Sequence, residues 1–102
     1  MKGYRKHPAV PAEIEAAARW YEERDAGLGE ELVSAVEDAI AVICEAPAAW
    51  PRWPDVPEDL DIRRYVLRRF PFAISYLDEP AEVVILAVAH TRREPLYWLD
   101  RR

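Results

Sequence analysis

Apolar residues recur at helical spacing in the first half of the chain and in short unbroken runs in the second. Ile14, Ala17, Ala18 and Tyr21 fall on one helix face, while Glu15, Arg19, Glu22 and Glu23 fall on the other. Pro11 marks the start of this helix, because a first helical residue needs no N–H donor, and Glu13 and Glu15 suit the positive end of the dipole. The helix is expected to stop near Asp25-Ala26-Gly27. A second helix is predicted from about Gly29, with Leu32, Ala35, Val36, Ala39, Ile40 and Ile43 on one face, until Pro47 forbids continuation. The short Gly-Leu-Gly connection makes the pair a helical hairpin, whose apolar faces need a flat partner.

That partner is predicted downstream. Residues 62–69, 72–77 and 82–90 read as strands, separated by Phe70-Pro71 and by Asp78-Glu79-Pro80-Ala81, connections short enough for antiparallel neighbours. The last run, Val83-Val84-Ile85-Leu86-Ala87-Val88-Ala89, is apolar on both faces, as expected of the most buried strand. A brief strand is expected at residues 4–7. Between the helices and the meander, residues 46–59 hold Pro47, Pro51, Pro54 and Pro57 around Trp50 and Trp53, a pattern that suits an ordered loop and neither regular element. After Pro95, the residues Leu96, Tyr97, Trp98 and Leu99 are expected to form one or two helical turns. The predicted fold is α+β: an N-terminal helical hairpin packed on a small, mainly antiparallel sheet, with a short C-terminal helix, as one domain over residues 1–102.

Composition narrows the class. With 51% hydrophobic and 32% charged residues the chain is an ordinary globular sequence, not a disordered one. No apolar run reaches the roughly 20 residues of a bilayer span, and no apolar stretch follows the basic N-terminus as in a signal peptide, so a cytoplasmic protein without membrane contact is expected. Cys44 stands alone, which excludes an internal disulfide, and no His/Cys spacing suits a metal; neither metal nor cofactor is expected. The net charge of -5 weighs against a polyanion partner. Its distribution alters that picture: residues 1–50 hold five Lys/Arg against ten Asp/Glu, whereas residues 62–77 hold Arg63, Arg64, Arg68 and Arg69 and no acid.

Two groups of residues have chemical potential. The arginine stripe suits bidentate recognition of carboxylate or phosphate, although arginines on a strand also lay their stems along a sheet with their heads in water. His90 at the end of the last strand precedes Arg92, Arg93, Tyr97 and Trp98. Such a set offers a general acid or base, charge stabilisation and aromatic stacking; it equally suits a strand-end histidine bound to backbone beside surface arginines. Ser34 and Ser75 lack a nucleophile-elbow context, and Cys44 reads as a small core residue.

The order of elements, with Arg68-Arg69-Phe70-Pro71-Phe72-Ala73-Ile74-Ser75-Tyr76 followed by Ala87-Val88-Ala89-His90-Thr91-Arg92-Arg93, Pro95 and Tyr97-Trp98, resembles the RelE/ParE superfamily of bacterial type II toxins, often labelled plasmid stabilisation proteins. The resemblance implies a toxin held inactive by a cognate antitoxin, whose C-terminal segment lays a helix in an apolar groove and sometimes adds a strand. It further implies one of two activities. ParE-type members bind DNA gyrase without being enzymes; RelE-type members are ribosome-dependent mRNA endoribonucleases. Nuclease members place a basic residue just after the aromatic that opens the middle strand, and here that position is Ala73, which favours the gyrase reading. The nuclease alternative implies catalytic roles for Arg64, His90, Arg92 and Tyr97. A degenerate member that only binds antitoxin is a third reading. For the antitoxin, the expected contacts are Arg63, Arg64, Arg68, Arg69 and Arg93 with its acids, and Trp20, Leu96 and Trp98 with its apolar side chains.

Overall fold

A computed structural model describes residues 1–101. Its elements are β1 (Tyr4–Lys6), α1 (Val10–Glu22), α2 (Leu28–Glu45), β2 (Ile62–Val66), β3 (Phe72–Asp78) and β4 (Val83–His90), with single 3₁₀ turns at Pro47–Ala49 and Leu99–Arg101. The strands form one sheet in the order β1-β4-β3-β2. β2, β3 and β4 are the expected antiparallel meander, and β1 adds a parallel edge by pairing Tyr4 with Val83 and Lys6 with Ile85. The fold is α+β.

The hairpin is held by packing rather than capping. Neither helix has a side-chain N-cap at its first residue, a contribution of about 1 kcal/mol where present. Against that, Leu32, Val36, Ile40 and Ile43 on α2 are buried with Val10 and Ala17 on α1, each large aliphatic side chain contributing about 1.5–3 kcal/mol. The connection is specified by two glycines. Gly27 has φ of +91°, a left-handed conformation that glycine adopts without steric cost. At Gly29 an added Cβ would lie 2.6 Å from the backbone oxygen of Ala18, so the absent side chain lets the helices meet. The Glu22 carboxylate accepts hydrogen bonds from the N–H groups of both Gly27 and Gly29, supplying from α1 the acceptor that α2 lacks at its start. These bonds hold the Glu22 carboxyl below its ordinary range.

The sheet is covered on both faces. Phe72, Ile74, Tyr76, Val83, Ile85 and Val88 face the hairpin in one core. A second core holds Ile62, Val84, Leu86 and Ala87 under Val56 and Trp98, with Trp53, Leu60, Leu96 and Tyr97 packed around it. The proline-rich loop and the C-terminal segment therefore form a third layer. A β-bulge makes β4 fit this arrangement: Ser75 opposes Ala87 while Tyr76 opposes Ile85, so Leu86 is the extra residue. Leu86 and Ala87 consequently both join the second core, whereas Val88 and His90 return to the hairpin side.

Two expectations about elements need correction. The strand expected over residues 62–69 ends at Val66. Beyond it Leu67 and Phe70 turn down into the hairpin core, and Arg68 and Arg69 lie in a turn closed by a hydrogen bond from the Leu67 N–H to the Phe72 oxygen. The helix expected from Pro95 is likewise absent: Leu96 has φ of +67°, outside the right-handed helical region, and only a 3₁₀ turn follows.

Candidate functional site

Two recesses lie at the His90 end of the sheet, one on each side of it. On the hairpin side a groove of about 480 Å³ runs between α1 and the end of β4, lined by Ala12, Ala16 and Trp20 above and by Phe72, Val88 and His90 below. Small residues at positions 12 and 16 leave the space open, and Trp20, half-exposed, forms one end with the Arg24 guanidinium stacked 3.4 Å from its ring centre. On the loop side a cleft of about 230 Å³ is lined by Trp53, Arg64, Ser75, His90, Arg93 and Tyr97. His90 and Arg93 border both.

The cleft is internally bonded. Ser75 is buried, and its hydroxyl accepts a hydrogen bond from the Trp53 indole N–H at 3.1 Å. Arg64 lies 5.0 Å over the Trp53 ring, and Arg93 lies 3.7 Å over Tyr97. The Tyr97 hydroxyl donates to the Glu13 carboxylate at 2.7 Å. Burial first, and then that carboxylate, push the Tyr97 phenol up to about 12, so it stays protonated at neutral pH. His90 stacks edge-on with Phe72, and its Nδ1 accepts a hydrogen bond from the Arg92 backbone N–H at 3.1 Å.

The structure separates residues that the sequence grouped. Of the four catalytic candidates, Arg64, His90 and Tyr97 border one cleft. The Arg92 side chain is exposed and lines neither recess. The arginine stripe also divides. Arg63 turns inward, donating to Asp61 and to the backbone oxygens of Ala48 and Trp50, so it anchors the loop. Arg69 is paired with Glu31 of α2 at 2.7 Å. Arg64, Arg68 and Arg93 are exposed and carry no ion pair among the described residues. Trp98, expected at a partner surface, is 1% exposed in the second core, and Leu96 packs beside it. Trp98 is held there by the Trp53 ring, 5.4 Å away.

Sequence reasoning missed Glu13, Trp53 and Arg101. Glu13 looked like an ordinary first-turn acid, and its inward aim follows from contacts more than 70 residues away in sequence. The outer edge of β2 was also not foreseen as half-covered. The loop pairs with it as far as Arg64, through Trp53 N–H to the Ile62 oxygen and Arg64 N–H to the Pro51 oxygen. Beyond that point Val66 is half-exposed.

Comparison with known proteins places this architecture. The family model for the ParE toxin of the type II toxin-antitoxin system parDE matches residues 4–95. The chain belongs to the ParE toxin family. A solved structure described as a chromosomal ParDE TA system from P. aeruginosa shares its fold, with a TM-score of 0.63 and 21% identity over 88% of this chain and 96% of the other. No curated protein matches the sequence. No helix among the described residues is long and apolar enough to cross a membrane.

Proposed function

We propose that this protein arrests growth by binding DNA gyrase in the cytoplasm and is neutralised by a cognate antitoxin. Membership of the ParE toxin family carries this reading. The cleft supports a binder over a nuclease. RNA cleavage through the 2′-hydroxyl needs a free acid and base and a cation on the phosphate. Here Ala73 stands where a cation is wanted, the Tyr97 hydroxyl is committed to Glu13, and the Arg92 side chain lies outside. The antitoxin has two places to dock. The α1/β4 groove suits the apolar face of a helix against Trp20, and the outer edge of β2 past Arg64 offers backbone groups flanked by the exposed Arg64 and Arg68.

A supercoiling assay with the purified chain tests the target: inhibition at micromolar concentration that is relieved by the adjacent antitoxin gene product is expected. An unaffected gyrase would remove the claim. Ribosome-dependent mRNA cleavage that disappears when His90 and Arg92 are both replaced by Ala would establish the nuclease reading instead.

A further inference from the structure

β4 outlasts its parallel partner. β1 pairs only as far as Ile85, and among the described residues no strand bonds the edge of β4 beyond it. Side chains take the place of a strand there. The Val88 N–H donates to Glu13 Oε1 at 3.0 Å, and the Leu86 oxygen accepts from Arg101 Nη1 at 3.0 Å. The second Glu13 oxygen accepts from the Tyr97 hydroxyl at 2.7 Å and from the same Arg101 nitrogen at 3.0 Å. One carboxylate on α1 thus holds the strand edge, a phenol and a guanidinium together, and the Glu13–Arg101 pair is largely shielded, at 12% and 17% side-chain exposure. Within the partly water-free site these charge-assisted bonds are strong and mutually dependent.

The segment that this carboxylate holds is under strain at its start. Leu96, a branched residue, sits at φ +67°, a conformation that costs energy and persists only when the surroundings over-determine it. What over-determines it lies immediately after: Tyr97 on Glu13, Trp98 against Trp53, and Arg101 on Glu13 and Leu86. Two of these residues, Tyr97 and Trp98, also wall the cleft and cover the second core.

We infer that residues 95–101 form a strap over the loop-side face of the sheet, opening as a unit about Leu96, with Glu13 as its catch. Opening uncovers Ser75, Trp53 and the second-core side of β4, and frees the β4 edge at the same time, because both are fastened to one carboxylate. Glu13 is therefore a positioning residue for the cleft, acting through Tyr97 and Arg101. The inference concerns the free chain and stands whether or not gyrase is the target.

Amide hydrogen exchange on the full chain tests it. In the parent protein the amides of Leu99, Arg101 and Val88 are expected to exchange together and faster than those of Ile40 and Ile43 in α2. Glu13→Ala is expected to raise exchange at all three by about tenfold with the α2 amides unchanged, the factor that corresponds to losing a charge-assisted bond. Tyr97→Phe keeps the ring packing but removes one bond of the catch, and is expected to raise Leu99, Arg101 and Val88 together, several-fold, with the α2 amides unchanged. A rise at Val88 alone in Glu13→Ala, an equal rise in α2, or no change in Tyr97→Phe would each overturn the strap.

Discussion

The phenol of Tyr97 shows how far a single side chain can depart from the role its sequence context suggests. Beside His90 and the arginines it resembles part of a reactive cluster, yet its hydroxyl is spent on Glu13 and its ring is stacked on by Arg93 and Arg101. Folding raises its pKa from the ordinary 10.0 to about 12. A raised phenol pKa means that the folded state favours the neutral form. The associated stability is complete below the ordinary value and is lost as pH rises through the folded one. Tyr97→Phe is accordingly expected to flatten the alkaline limb of the stability curve between pH about 10 and about 12, measured by urea unfolding at a series of pH values. An unchanged slope would show that folding does not raise the Tyr97 phenol's pKa. Glu22 works in the opposite sense: its carboxyl is held below the ordinary range by the Gly27 and Gly29 amides, so its contribution is present above that range and lost as pH falls through the lowered value.

Among the elements, the proline-rich loop differs most from the bland connection its composition suggests. Each proline removes a backbone donor, so the loop cannot be held by a regular ladder of its own. Two backbone bonds tie it to the β2 edge, and two arginine side chains, one from β2 and one of its own, supply the rest. Arg63 reaches from β2 to the Ala48 and Trp50 oxygens and to Asp61, while Arg52 reaches to the Glu58 and Leu60 oxygens. Arg63→Lys keeps the charge but cannot span several acceptors with one planar fork. It is expected to cost about 1–3 kcal/mol in unfolding free energy, since it leaves the part-buried Trp50 carbonyl without its donor, and to increase exchange of the Trp53 amide. Thermal or denaturant unfolding checks the first, and a variant as stable as the parent would mean that the loop is held without the Arg63 bonds. The composition marked the loop as ordered, but its place across a sheet face and along the β2 edge depends on these reaches from distant positions.

At the scale of the whole molecule, charge is segregated in three dimensions as it is along the chain. The acids of α1 and α2 lie on the hairpin, with Glu31 drawing Arg69 to that side. Arg64, Arg68 and Arg93 remain exposed at the sheet end and free of ion pairs among the described residues. An acidic antitoxin segment docked there gains from charges that the free toxin leaves unneutralised, and rim charges of this kind act strongly on association rate and salt dependence. Reversing Arg64 and Arg68 together to Glu is expected to weaken antitoxin binding by about tenfold or more at low salt and to shrink its salt dependence, with unfolding free energy changed by less than about 1 kcal/mol, because neither head has an ion pair among the described residues and the Arg64 contact with the Trp53 ring is exposed. Titration calorimetry at low and high salt reads both effects; equal affinity would move the antitoxin away from the β2 edge.

The helical hairpin, the meander and the burial of β4 on both faces follow from the sequence alone, whereas its central place depends on the parallel pairing with β1. They depend on local period and on breakers, and Pro11, Pro47 and the apolar run at 83–89 state these without reference to anything distant. The tertiary structure decided which arginines are structural, because Arg63 and Arg64 have the same residue type and adjacent positions but point to opposite sides of the strand. It decided that Trp98 is core, since only the folded sheet shows that its second face is covered jointly by the proline-rich loop and the C-terminal segment. It decided the role of Glu13, whose partners at Val88, Tyr97 and Arg101 are brought to it by the α1/β4 crossing. Periodicity reports how a segment lies against a surface, and it carries no information on which distant polar group will need a partner there.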